Sequence, residues 1–87
     1  MLMNFRILSV RDVDKPNSKS EKFGYREGRV CKIDTEYMIV GCPLIVHYLD
    51  GKYFRTSTVT KINKDRCGFE VKTRNRIYYF EHFIKKI

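Results

Sequence analysis

Apolar and polar residues alternate with a period of two along most of this chain. Phe5 and Ile7 fall on one side of an extended backbone over residues 2–10, and Phe69 and Val71 do the same further along. This period is typical of half-buried strands, whereas no window of about 11 residues combines an amphipathic helical stripe with capping residues. The pattern therefore predicts an all-β protein.

Turn signals divide this pattern into short strands. The clearest of them is Asp50-Gly51, because Asp-Gly supplies the positive φ angles of a tight hairpin. Further turns are predicted at residues 63–68 and at Arg74-Asn75. The predicted elements cover residues 2–10, 28–33, 37–40, 44–49, 52–62, 69–73 and 77–80.

Short strands joined by tight turns favour a small five- or six-stranded barrel of SH3-like or OB-like type. Closure also removes sheet edges that invite aggregation. The last 44 residues are predicted to form a meander of four strands, and residues 81–87 to end it as a short turn of helix. The polar stretch 12–22, with Pro16 and Asn17, has the composition of a flexible loop.

Length and composition limit the class of protein. A chain of 87 residues supports a single domain, 1–87, that buries only roughly 60% of its unfolded surface, which excludes enzymes built from two lobes. Its 43% hydrophobic and 14% aromatic content exclude a disordered basic tail. The longest uncharged run, residues 37–49, is shorter than the roughly 20 residues of a membrane span. Since the N-terminus does not resemble a secretory signal, we expect a cytoplasmic protein without a membrane partner.

Basic residues are concentrated in the last third of the chain. The whole chain has 18 Lys and Arg against 10 Asp and Glu, a net charge of +8. Residues 52–87 contain ten of the basic and three of the acidic residues, a net charge of +7. Such a one-sided field attracts polyanions and accelerates their encounter.

Strand alternation places Lys72 and Arg74 on the face opposite Phe69 and Val71. We therefore predict an exposed basic row of Lys72, Arg74 and Arg76, joined by Arg55 and Lys61 from the neighbouring hairpin. Contacts to about five to seven phosphates would make binding weaken steeply with salt. The alternative is a solvated face that keeps a small protein soluble.

Aromatic residues are interleaved with these charges. Because Tyr78 and Tyr79 are adjacent in a strand, one ring points inward and the other is a candidate platform for base stacking, worth about 1–3 kcal/mol per base. The same reasoning applies to Tyr53 and Phe54, and the alternative is that these rings fill the core and its rim. The candidate ligand- or nucleic-acid-binding residues are Arg55, Lys61, Lys72, Arg74, Arg76, Tyr53, Tyr78 and Tyr79.

Cysteine and histidine give no support for catalysis. Three cysteines do not form a paired disulfide framework, so we expect free thiols in a reducing compartment. A zinc site built from Cys31, Cys42, Cys67 and His47 is the alternative, although the usual close ligand pairs are missing. The acidic residues form no general acid and base constellation, and the glycines are isolated. We expect a non-enzymatic protein with no catalytic residues, metal or cofactor.

Two motifs carry a resemblance to a known group of proteins. Thr56, Ser57 and Val59 form a T-S-x-V pattern, and a T-x-N-x-x-Y pattern runs from Thr73 to Tyr78. Over about 40 residues, the chain resembles short uncharacterised proteins of bacteriophages and mobile elements. The resemblance implies a compact SH3-like barrel in a setting where small proteins often inhibit host defence.

Two function hypotheses follow. The first is a basic binding module that holds nucleic acid or an anionic nucleotide through its C-terminal hairpins. The alternative is a phage-type anti-defence inhibitor that docks on an acidic host protein surface, in the manner of anti-CRISPR proteins, or sequesters a nucleotide signal. An apolar seam along residues 44–48 would also allow a homo-oligomer.

Overall fold

The computed structural model describes residues 2–83, which form a closed antiparallel barrel. This confirms the prediction of a small all-β barrel. Two short 3₁₀ turns, Gly24–Arg26 and Thr35–Tyr37, interrupt the connections. The six strands are β1 (Leu2–Asp12), β2 (Val30–Asp34), β3 (Pro43–Tyr48), β4 (Tyr53–Lys64), β5 (Gly68–Thr73) and β6 (Arg76–His82).

The barrel is a simple meander. Each strand pairs with the next one in sequence, and β6 returns to pair with β1 from Asp12↔Arg76 to Phe5↔His82. It therefore lacks the Greek-key connection of an OB-fold. No helical segment within residues 2–83 is long and apolar enough to cross a membrane.

Inward-facing residues from all six strands fill the interior. The predicted alternation in β5 is confirmed, since Phe69, Val71 and Thr73 are all buried. Aromatic rings bridge strands that are distant in sequence: Phe5 meets Phe69 edge-on at a centroid distance of 4.9 Å, and Phe69 lies 5.4 Å from Phe80. Such pairs add about 0.5–1.5 kcal/mol beyond the area that they bury.

The hairpin predicted at Asp50-Gly51 is confirmed. Gly51 has a φ of +89°, and the Lys52 N–H donates to the Asp50 side chain at 2.9 Å. The Tyr48 N–H donates to the Lys52 carbonyl at 2.7 Å, which closes the turn. The turn therefore fixes the register between β3 and the first half of β4.

Two sequence predictions differ from the structure. The element predicted at residues 37–40 is not a strand, because Asp34 accepts a hydrogen bond from the Glu36 N–H and turns the chain into a 3₁₀ turn. The helical turn predicted for residues 81–87 is wrong for Glu81 and His82, which pair with β5 or β1 as part of β6. The remainder of that prediction, residues 84–87, lies outside the described residues.

The loop after β1 is attached to that strand by a buried serine. The Ser20 N–H donates to the Val10 carbonyl at 2.8 Å, and its hydroxyl donates to Asp12 at 2.9 Å. The Gly24 N–H then donates to the Ser20 carbonyl at 2.8 Å. The predicted flexibility of residues 12–22 stays a prediction, but the end of this loop has defined contacts.

Candidate nucleic-acid interface

Three basic side chains form a row across four neighbouring strands on the outside of the barrel. Lys61 of β4 is paired with Lys72 of β5, Lys72 with Ile77 of β6, and Ile77 with Arg11 of β1. The adjacent residues along these strands point inward, so the members of the row point outward. Those inward neighbours are Ile62, Val71, Tyr78 and Val10.

Lys61 and Lys72 face each other without neutralisation. Strands in a sheet are about 4.8 Å apart, and like charges directly opposite destabilise the pairing. Within residues 2–83 neither lysine forms an ion pair, and the nearest acid along β5, Glu70, occupies the next register row opposite Asn63. The folded protein therefore maintains an uncompensated positive pair on its surface.

Arg11 extends the row, and sequence reasoning missed it. Strict alternation from Phe5 and Ile7 would have turned Arg11 inward, but a β-bulge between Ile7 and Ser9 shifts the phase by one residue. Val10 is consequently buried and Arg11 exposed. The Arg11 guanidinium donates to the Pro16 carbonyl at 2.9 Å, which holds it against the following loop.

Arg74 lies at one end of this row, in the turn between β5 and β6. Its N–H donates to the Thr58 carbonyl at 3.1 Å, and the Asn75 N–H donates to the Ser57 hydroxyl at 3.3 Å. Ser57 also donates to Thr73 at 2.9 Å, so these polar residues fix the turn that presents Arg74. We call Arg11, Lys61, Lys72 and Arg74 the basic face.

A shallow cavity of about 530 Å³ adjoins the basic face at this turn. Arg74 and Lys22 supply positive charge at its walls, and Asp14 supplies negative charge. The cavity is large enough for a nucleotide-sized group, but its charge is mixed. It is lined by Asp12, Val13, Asp14, Lys22, Arg74, Asn75 and Arg76.

Arg76 is engaged inside the molecule rather than on the basic face. Its Nε lies 3.5 Å from an Asp12 carboxylate oxygen, and its guanidinium stacks 3.8 Å from the centre of the Phe23 ring. Arg26 lies 4.4 Å from that ring centre and 3.8 Å from the centre of Phe54. The result is a cation–aromatic stack of Arg76, Phe23, Arg26 and Phe54 that joins the β1–β2 loop to the barrel.

The two adjacent tyrosines point in opposite directions, as strand alternation requires. Tyr78 is buried, and its hydroxyl accepts a hydrogen bond from Arg26 at 3.3 Å. Desolvation raises the pKa of Tyr78. Tyr79 faces outward in the row next to Lys72, half-buried, and its hydroxyl donates to the Asp65 carboxylate at 2.7 and 2.8 Å. Of the two rings, Tyr79 is therefore the one that borders the basic face.

The remaining two candidates lie on a different wall of the barrel. Arg55 and Tyr53 belong to the first half of β4, where they pair with Ile45 and His47 of β3. Along β4, Arg55 is about 20 Å from Lys61 at the rise of a strand. The structure thus brings Lys61, Lys72 and Arg74 together, places Tyr79 beside them, and separates the other four candidates from them. Those four are Arg55, Tyr53, Arg76 and Tyr78.

The hydrogen bond between Tyr79 and Asp65 makes a pH-dependent contribution to stability. It raises the pKa of Tyr79 to about 12 and, with two backbone amides, lowers the pKa of Asp65. A lowered carboxyl pKa contributes stability that is lost as pH falls below the ordinary value of 3.8. A raised tyrosine pKa contributes stability that is lost as pH rises from 10 towards 12.

Tyr79→Phe should therefore lower the free energy of unfolding most between about pH 4 and pH 10 and progressively less outside that window. Urea denaturation across the pH range measures the difference from the wild type. Tyr53→Phe is the matched control, because the exposed Tyr53 hydroxyl makes no hydrogen bond within residues 2–83, and its effect should not depend on pH. A difference for Tyr79→Phe that stays constant from acid to alkali would contradict the assignment.

The three cysteines are free thiols. Cys31 is buried, which raises its pKa to about 12, and Cys42 and Cys67 are exposed. Residues 2–83 contain no group of three or more His, Cys, Asp and Glu side chains placed to hold a metal ion.

The chain was also compared with known proteins. No family model matches it, and no curated protein or solved structure matches it either. Support for a function comes instead from the surface itself, in the register of Lys61 with Lys72 and the arginines that flank them.

Proposed function

We propose that this protein is a non-enzymatic nucleic-acid-binding module that holds the phosphate backbone on its basic face. The observation that supports this most strongly is the direct register of Lys61 with Lys72, continued by Arg11, with no ion pair to any of the three within residues 2–83. A like-charge pair on a sheet costs stability in the unbound protein. A polyanion placed along the row relieves that repulsion and gains favourable charge contacts.

The chemistry of the face favours binding without strong sequence preference. Contacts from lysine and arginine to phosphate position a nucleic acid but carry no sequence information. Tyr79 supplies an aromatic ring beside Lys72, and stacking on a ring is tolerant of the base. Single-stranded or structured RNA or DNA, whose bases are accessible to the ring, is therefore the proposed ligand.

Salt dependence tests the proposal directly. With the four cations of the basic face each neutralising one phosphate, the logarithm of the binding constant should fall with the logarithm of salt concentration with a slope of about −3 for single strands and nearer −4 for duplex. Fluorescence anisotropy of a labelled oligonucleotide, titrated at several salt concentrations, measures this slope. Absence of binding at low salt, or a slope near zero, would overturn the proposal.

Mononucleotides provide a second arm of the same experiment. A ligand with one or two phosphates cannot span the row from Lys61 to Arg11 and should compete poorly with the oligonucleotide. Competition by a mononucleotide at a concentration equal to that of the oligonucleotide would place the binding site in the cavity beside Arg74 and contradict the proposed use of the row.

A further inference from the structure

The seam between β2 and β3 is incomplete. The two strands are joined by two register pairs, Cys31↔Tyr48 and Lys32↔His47, although β2 continues to Asp34 and β3 starts at Pro43. Beyond the second pair the strands separate and leave a groove of about 520 Å³. Its lining is mainly apolar and includes no lysine or arginine.

Exposed apolar side chains surround this groove. Ile45 points outward between buried Leu44 and Val46, and the connection from β2 carries Ile39 and Val40 across the surface. Tyr37 is the most exposed of the group, at 70%. We call Leu2, Tyr37, Ile39, Val40, Pro43 and Ile45 the apolar face.

The size of this face is unusual for a monomer. Its large side chains are 45–70% exposed, which amounts to on the order of 400 Å² of apolar surface, within the range of the largest patches that monomers leave open. With the groove walls and the polar rim, the area approaches the about 600 Å² per partner that the smaller specific interfaces bury.

We propose that the apolar face is the contact surface of a homodimer whose twofold axis passes near Ile45. A twofold interface needs one patch that is complementary to itself, and here a protruding ring, Tyr37, stands beside a recess of suitable size. The charges at the margins agree with this arrangement. Asp34 lies on the β2 side of β3 and Arg55 on the β4 side, so the twofold axis brings the acid of one copy towards the base of the other.

This face is also the one through which two copies of a +8 chain approach with least repulsion, because the groove carries no basic side chain. The basic face lies on other strands and stays open in the dimer. Each dimer then presents two basic faces, and a nucleic acid long enough to reach both would bind with a raised effective concentration. The dimer itself does not depend on nucleic-acid binding.

Mass measurement in solution tests the dimer. Light scattering or sedimentation should show the mass rising from 10.5 kDa towards twice that value between about 1 µM and 1 mM protein, the range of weak to moderate affinities. Ile45→Asp and Ile39→Asp should each keep the chain at 10.5 kDa. Leu8→Asp is the matched control, because Leu8 is 50% exposed on β1, outside the apolar face, and this variant should dimerise like the wild type.

Circular dichroism and a cooperative unfolding transition establish that each variant is folded. A wild-type chain that stays monomeric at the highest concentration would overturn the proposal. So would a Leu8→Asp variant that loses the dimer as readily as Ile45→Asp does, since the association would then not be specific to this face.

Two thiols of the wild-type protein give an independent test without mutation. Cys42 lines the groove, whereas Cys67 lies in the turn between β4 and β5, and both are exposed in the single chain. Alkylation by iodoacetamide, followed by mass spectrometry, should slow several-fold at Cys42 as protein concentration rises through the dimerisation range, while the rate at Cys67 stays constant. Equal rates for both thiols at all concentrations would overturn the proposal.

Discussion

Gly68→Ala should leave the protein largely unfolded at room temperature. A Cβ atom at this position would overlap the backbone carbonyl oxygen of Phe80 and lie 2.8 Å from the Cα of Glu81. Both are main-chain atoms of the paired strand β6, so neither can move without breaking the β5–β6 ladder. We expect the free energy of unfolding to fall by about 3–5 kcal/mol, a large fraction of the stability of a small domain.

Urea denaturation followed by circular dichroism measures this loss. Gly24→Ala is the matched control, because its new Cβ would meet carbon atoms of the flexible Lys19 side chain, which can swing away. That variant should stay within about 1 kcal/mol of the wild type. A Gly68→Ala protein with wild-type stability would show that β5 and β6 are not as close as described.

Replacing both Lys61 and Lys72 by glutamine should weaken oligonucleotide binding by about 10- to 100-fold near 0.1 M salt. The two lysines provide two of the four proposed phosphate contacts, so the salt slope should fall by about 2. Removing the like-charge pair should at the same time leave the stability of the fold unchanged or slightly raised. Anisotropy titration and urea denaturation of the same variant measure both effects.

A second double variant separates a local effect from one of net charge. Lys32→Gln with Lys52→Gln removes the same two charges from exposed positions on β2 and on the β3–β4 hairpin, away from the basic face. Its affinity for the oligonucleotide should fall much less. If both double variants lose affinity equally, binding follows overall charge and the basic face has no special part in it.

Much of the fold could be predicted from local pattern. Alternation located β1, β3 and β5, because each has one face in the core and the other in water. Asp50-Gly51 located the hairpin, because a positive φ angle is required there and glycine provides it without strain. The same alternation gave the outward direction of Lys72.

The rest depended on events that leave no local trace. The bulge in β1 reverses the alternation midway, so the exposure of Arg11 could not be obtained by counting residues from Phe5. The cation–aromatic stack combines Arg26 with Phe54 and with Phe23 of the same loop, and such a pairing depends on how the closed barrel folds back on its connection. Arg76 was predicted for the surface because a single strand does not reveal that a loop 50 residues earlier covers it.

The bulge also determines where this chain can change in length. Leu8 has no partner in the β1–β6 ladder, which passes from Ile7↔Phe80 to Ser9↔Tyr79, and the β1–β2 ladder has already ended at Arg6. Deleting Leu8 would therefore turn no core side chain outward, whereas a deletion between Phe5 and Ile7 would invert one half of the strand. Natural or designed variants that are one residue shorter in β1 are expected to have lost it at this position.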